Sequence, residues 1–121
     1  MSTVATLTAR VEALRDAADE ADGYAQACRY AARRIHGVSA ALSGVSVDTG
    51  GMRSRSARVE RAKTTAEGAG GAVRSTRAAL DRAVNELQSI ARKYDRKADA
   101  ARAALRVART QLATALLDGT G

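Results

Sequence analysis

The feature that most constrains this chain is a seven-residue repeat that runs unbroken through its first third. Small or apolar residues recur at alternating spacings of three and four, and Ser39 is the only polar member. The repeat comprises Val4, Leu7, Val11, Leu14, Ala18, Ala21, Ala25, Cys28, Ala32, Ile35, Ser39 and Leu42. A sustained period of 3.5 residues predicts a long helix in a left-handed coiled coil. We therefore expect a helix over residues 3–43, ended by Gly44.

Composition favours helix and disfavours most other folds. Alanine, the best helix former, accounts for 29 of the 121 residues, and the chain has no Pro, Phe or Trp. Aromatic residues make up 2% of the chain, which disfavours strands and a thick aromatic core. A deep catalytic pocket needs bulky apolar walls, so we expect no enzyme and no cofactor. With one Cys (Cys28) and one His (His36), neither an intramolecular disulfide nor a two-histidine metal site can form.

The second half carries a similar repeat after a break. Residues 44–51 hold three glycines with Ser, Asp and Thr, which is typical of a loop. The spacing then resumes at Val59, Ala62, Ala66, Ala69, Val73, Thr76, Leu80, Ala83, Leu87, Ile90 and Tyr94, and continues at Ala98, Ala101, Leu105, Ala108, Leu112 and Ala115. Two consecutive spacings of four around Tyr94 form a stutter, which predicts a local unwinding of the coiled coil.

Three glycines, Gly68, Gly70 and Gly71, fall within four residues of the second repeat. Each costs a helix roughly 1 kcal/mol relative to alanine. We therefore predict helices over about 52–67 and 72–117, with a kink or break at 68–71.

Charge indicates how the two repeats pair. Residues 1–22 hold five acids and two bases, whereas residues 92–109 hold seven bases and two acids. An antiparallel hairpin that pairs 3–43 with about 72–112 places these blocks side by side. A tighter hairpin would instead face the acids with Arg74, Arg77 and Arg82. We predict an all-α single domain over residues 1–121, an elongated antiparallel helical hairpin or coiled coil.

An alanine-rich seam buries little apolar surface, so we expect a second chain to complete the packing, in a homodimer or heterodimer. The predicted seam and partner-contact residues are the larger members of both repeats: Val4, Leu7, Val11, Leu14, Ile35, Leu42, Val59, Val73, Leu80, Leu87, Ile90, Tyr94, Leu105 and Leu112.

Two basic stretches could contact phosphates, because the chain carries a net charge of +7. The candidate anion-contacting residues are Arg53, Arg55, Arg58, Arg61, Lys63, Arg92, Lys93, Arg96 and Lys97. The first five do not share one helical face, and no tyrosine interleaves with them, which disfavours a stacking platform for single strands. Binding to nucleic acid or to an anionic membrane is therefore the alternative function.

Other polar residues have simple structural interpretations. The acids Asp16, Asp19, Glu20 and Asp22 suit a helix start and a basic neighbour better than a metal site. Cys28 lies on the first seam and is interpreted as a buried structural thiol, and His36 as a solvated side chain.

A family resemblance adds to this interpretation. Two long alanine-rich helices around a Gly/Ser-containing break resemble the WXG family of type VII (ESX) secretion systems, and the stretch 87–105 looks like the end of that family's second helix. The Trp-x-Gly turn is absent, and Ala98 stands where an acid would follow Tyr94 by one turn. The resemblance implies a non-enzymatic hairpin that works as a dimer.

Targeting signals are absent from the sequence. No apolar run approaches the ~18 residues of a membrane span, and residues 1–22 lack the features of a signal peptide. We therefore expect a cytoplasmic protein, or one exported without a cleavable signal.

Overall fold

The computed structural model describes residues 3–51 and 56–119, and over these ranges the chain forms two packed α-helices. Helix α1 spans Thr3–Ser43 and helix α2 spans Ala57–Leu117. No strand occurs in the described ranges. The predicted all-α helical hairpin is confirmed.

Local hydrogen bonds define the inner ends of both helices. After α1, the Gly44 and Val45 amides donate to the carbonyls of Ala41 and Leu42, at 3.3 and 3.0 Å. These tight bonds satisfy carbonyls that the helix end would otherwise leave unpaired. At the start of α2, the carbonyl of Ser56 accepts from the Glu60 amide at 3.1 Å.

The second helix starts later than the predicted start at about residue 52. Ser56 is not helical, so α2 begins at Ala57 rather than at Met52. Residues 52–55 of the predicted start lie outside the described residues. Serine often occupies the position just before a helix, which fits the placement of Ser56.

Of the kink or break that the sequence predicts at the glycines, the break is wrong. Helix α2 continues through Gly68, Gly70 and Gly71. Gly70 is buried, and a Cβ atom built there would lie 3.4 Å from the Cβ of Val47. The segment after α1 therefore lies in contact distance of α2 at Gly70, and helix on both sides propagates through the three glycines.

The tertiary contacts divide the chain into two units, each made from a piece of both helices. Unit 1 combines Met1–Arg29 with Gln88–Gly121, and unit 2 is Tyr30–Leu87.

Within unit 1 the helix segments are antiparallel. Val11 packs with Leu105 and Ala108, and the half-buried Leu14 and Leu112 adjoin this cluster. Further along α1, Asp22 meets Arg102 and then Arg29 meets Asp95. Increasing residue numbers along α1 therefore face decreasing residue numbers along α2. This is the longer of the two predicted registers, in which the acidic start of α1 faces the basic end of α2.

Unit 2 has the same antiparallel direction but a different kind of contact. The buried Ser39 donates from its hydroxyl to Asp81 Oδ1 at 2.7 Å. Beyond α1, the hydroxyl of Thr49 donates to Glu67 Oε1 at 3.1 Å. The non-helical segment therefore continues along α2 in the direction that α1 began.

The seam of α2 keeps one phase, so the predicted stutter is wrong. On α1 every seventh residue is buried, at Val11, Ala18, Ala25, Ala32 and Ser39. On α2 the same interval holds at Val84, Ala91, Ala98 and Leu105. Ala91 rather than Ile90 occupies the closest position, since a small residue there lets the backbones approach, while Ile90 is half-buried beside it.

Candidate functional site

Unit 1 contains two ion pairs that link its helix segments. The guanidinium of Arg29 donates to Asp95, and that of Arg102 donates to Asp22. Arg102 also donates to Asp99, one turn earlier on α2, at 3.2 Å. The hydrogen bond to Asp95 raises the pKa of Arg29 above its ordinary value, so this guanidinium stays charged. Both cross-helix pairs are partly exposed to water. They therefore indicate which residues of the two segments face each other, but they add little to the free energy of unfolding.

An aromatic pair lies in the same unit. The rings of Tyr24 and Tyr94 are tilted by 38°, with centroids 5.2 Å apart. The ammonium of Lys97 lies 5.3 Å from the centre of the Tyr94 ring, within range of a cation–π interaction. Tyr94 is half-buried and Tyr24 is exposed, so Tyr24 covers one side of Tyr94.

A groove in unit 1 is lined mainly by arginines, and we call it the arginine groove. Its volume is about 420 Å³. It is lined by Arg15, Ala18, Asp19, Arg102, Leu105, Arg106 and Arg109. Arg102, Arg106 and Arg109 are spaced by four and three residues and therefore share one face of α2. The antiparallel register places Arg15 of α1 opposite them, above a floor formed by the small Ala18 and by Leu105.

The arginine groove has a surplus of positive charge. Among the described residues, Arg102 is paired with two carboxylates, whereas Arg15, Arg106 and Arg109 have no carboxylate within salt-bridge distance. Asp19 is the one acid in the lining. Three guanidiniums with one carboxylate in the same lining favour an anionic ligand.

Sequence reasoning did not single out this groove. It placed Arg15 in the acidic block and Arg102, Arg106 and Arg109 in the basic block 92–109. That block was a candidate for phosphate contact, but its named anion-contacting residues ended at Lys97. The signal that could have found them was the i, i+4, i+7 spacing of Arg102, Arg106 and Arg109 beside the seam. That spacing becomes a site only when the register places Arg15 opposite.

The predicted anion-contacting residues that the structure describes are divided between the two units. Arg53 and Arg55 lie outside the described residues. Arg58, Arg61 and the half-buried Lys63 belong to unit 2, whereas the second basic stretch belongs to unit 1. In that stretch Arg92, Lys93 and Arg96 are exposed on one side of α2, while Lys97 lies over a tyrosine ring.

The predicted seam residues all face the interior of the hairpin to some degree. Val11 and Leu105 are buried, and the other twelve are half-buried within the single chain: Val4, Leu7, Leu14, Ile35, Leu42, Val59, Val73, Leu80, Leu87, Ile90, Tyr94 and Leu112. A partner chain would therefore need other faces. Val38, Val107, Leu116 and Leu117 are large apolar residues at least half exposed.

The remaining candidates occupy simple positions. Cys28 is half-buried and unbonded, and His36 is exposed. Within residues 3–51 and 56–119, no three His, Cys, Asp or Glu side chains lie close enough together to bind a metal ion. This includes the acids near the start of α1.

Comparison with known protein families, with curated proteins and with solved structures finds no match for this chain. In the described part of the chain, neither helix has an apolar stretch long enough to cross a membrane.

Proposed function

We propose that this chain is a non-enzymatic interaction protein that associates through its helices with a second helical chain. The observation that carries the proposal is the composition of the core. Eight of the eleven buried apolar residues are alanines, and no large side chain in the described ranges is fully buried. Each alanine removes little apolar surface from water, so the hairpin gains stability by covering its exposed apolar residues.

The test is association measured over a range of chain concentrations. Light scattering and native mass spectrometry should detect a dimer, and the thermal midpoint should rise with concentration. Val107→Glu and Val38→Glu each place a charge at an exposed apolar position, one in each unit, and at least one should weaken the dimer. Gln26→Glu is the matched control, since it adds the same charge at an exposed polar position. A monomer whose melting is independent of concentration would contradict self-association.

The kind of partner we propose is another small helical chain of the type VII secretion class. This proposal is supported by the helical hairpin with its Gly/Ser-containing connection, and by the stretch around Tyr94. Co-expression with the neighbouring genes, followed by native mass spectrometry, should give a one-to-one complex with a chain of similar length. Secretion should depend on a type VII apparatus. A chain that takes no such partner and is retained when the apparatus is active would refute this assignment.

The alternative function is binding to nucleic acid or to an anionic membrane, and the exposed trio Arg92, Lys93 and Arg96 favours it. Binding through this trio should be weak, blind to sequence and steeply reduced by salt, because it rests on phosphate contacts alone. Replacing all three by Gln should weaken binding more than the same replacement of Arg58, Arg61 and Lys63. Nanomolar, sequence-selective binding near physiological salt would place this function ahead of the interaction protein.

A further inference from the structure

We propose that the arginine groove of unit 1 binds the phosphate group of an organic phosphate. This inference goes beyond the association proposed above and does not depend on it. Arg15, Arg106 and Arg109 line one groove, and no carboxylate of the described residues lies at salt-bridge distance from them. Two oxygens of one phosphate accept two parallel N–H groups of a guanidinium, which makes arginine well suited to bind such groups.

The charge of the groove fits a dianion. Asp22 and Asp99 already hold the guanidinium of Arg102, so these three side chains together add no positive charge to the groove. Against the three remaining guanidiniums stands only Asp19. A phosphate monoester, which carries close to two negative charges at neutral pH, would balance this surplus.

The size and floor of the groove indicate an ester rather than the bare ion. A volume of about 420 Å³ falls in the range of small-molecule sites and is far larger than an inorganic phosphate needs. Ala18 and Leu105 form an apolar floor between the arginines. The carbon portion of an ester can lie on this floor while the arginines bind its phosphate. Such an ester can come from a free metabolite or from a phospholipid headgroup.

The experiment compares phenyl phosphate with inorganic phosphate by NMR titration of the full chain at moderate salt. Phenyl phosphate should bind at least about tenfold more tightly and should shift the amides around the groove. Arg15, Arg106 and Arg109 replaced together by Gln should lose at least about tenfold in affinity. The matched control replaces Arg33, Arg58 and Arg82 by Gln, since these arginines of unit 2 are exposed and the loss of charge is the same.

Further measurements distinguish the outcomes. Asp19→Asn should tighten binding of phenyl phosphate, because it removes the one negative charge of the lining. Flotation with vesicles that contain phosphatidic acid, the phospholipid whose headgroup is a phosphate monoester, tests the lipid source: vesicle binding that the groove variant loses and the control keeps assigns the groove to headgroups. An equal loss in both triple variants means that net charge alone attracts the anion and overturns the proposal. So does an absence of binding to phenyl phosphate and vesicles. Circular dichroism checks that each variant stays helical. Self-association is measured separately, without ligand, so that a failure of one proposal can be distinguished from a failure of the other.

Discussion

Each unit contains a segment of α1 and a segment of α2. The side-chain contacts between these two segments differ from one unit to the other. Unit 1 has an aliphatic cluster around Leu105, a tyrosine pair and two cross-helix ion pairs. Unit 2 has one buried serine bonded to an aspartate, and a valine that packs on a glycine. The same repeat therefore produces two kinds of packing, since the repeat determines which positions face inward and the side chains at those positions determine the stability.

The comparison extends to polar atoms in the seam. In unit 2 the half-buried Arg77 takes an inward position, and its Nε atom is the buried side-chain nitrogen for which the described residues offer no partner. Such an atom loses its hydrogen bonds to water without replacement. In unit 1, by contrast, the arginines at the helix interface point outward, to carboxylates or to the groove. We expect unit 1 to be the more stable of the two.

The largest expected effect is the truncation of Leu105, the only buried leucine in the described part of the chain. Leu105→Ala should lower the free energy of unfolding by about 3 kcal/mol, since it removes a buried side chain and leaves a cavity beside Val11. Leu80→Ala, at a half-buried position of unit 2, should cost less than half as much. Urea unfolding at one fixed chain concentration measures both. Equal losses would mean that the two units are equally well packed.

A second expected effect separates the tyrosines. Tyr94→Ala should cost about 2 kcal/mol, because it removes a half-buried ring together with its contact to Tyr24. Tyr24→Ala should cost less, since its ring is 50% exposed, and Tyr30→Ala in unit 2 should change stability by less than about 0.5 kcal/mol. Thermal melts of the three variants give the order. If Tyr30→Ala is as costly as Tyr94→Ala, the aromatic pair adds nothing to unit 1.

These cases show how much the sequence could reveal. The inward positions of α1 could be predicted, because a repeat with one period is a local property of the chain. The choice between Ile90 and Ala91 as the inward residue of α2 could not be predicted. Alanines lie on both sides of the seam, so two phases of the seven-residue repeat fit the sequence nearly equally well. The continuity of α2 through its three glycines could not be predicted from their low helix propensity, since it depends on the helix that propagates from both sides. The arginine groove depends on the register of two distant segments, and charge blocks indicate that register without showing which arginines remain unpaired.

A smaller, opposite effect is expected from helical glycines. A Cβ atom at Gly68 of unit 2, or at Gly23 of unit 1, would meet nothing within 4 Å. Gly68→Ala and Gly23→Ala should therefore each stabilise the chain by roughly 1 kcal/mol, from helix propensity alone. Gly70→Ala should gain less, because its Cβ would approach Val47 at 3.4 Å. Chemical unfolding of the three variants tests this order. A loss of stability in Gly68→Ala would indicate that the glycine stretch adopts backbone conformations that a regular helix does not need.

The smallest expected effect concerns the ion pair between Asp22 and Arg102. A double-mutant cycle with Asp22→Asn and Arg102→Gln should give a coupling of about 0.5 kcal/mol at low salt, because both side chains remain partly exposed to water. The coupling should shrink toward zero at 1 M salt, where the screening length is only a few ångströms. Arg102 also contacts Asp99, so a cycle with Asp99→Asn measures the pair within α2 for comparison. If the cross-helix coupling exceeds about 2 kcal/mol and resists salt, these ion pairs rather than the Leu105 cluster would account for the greater stability of unit 1.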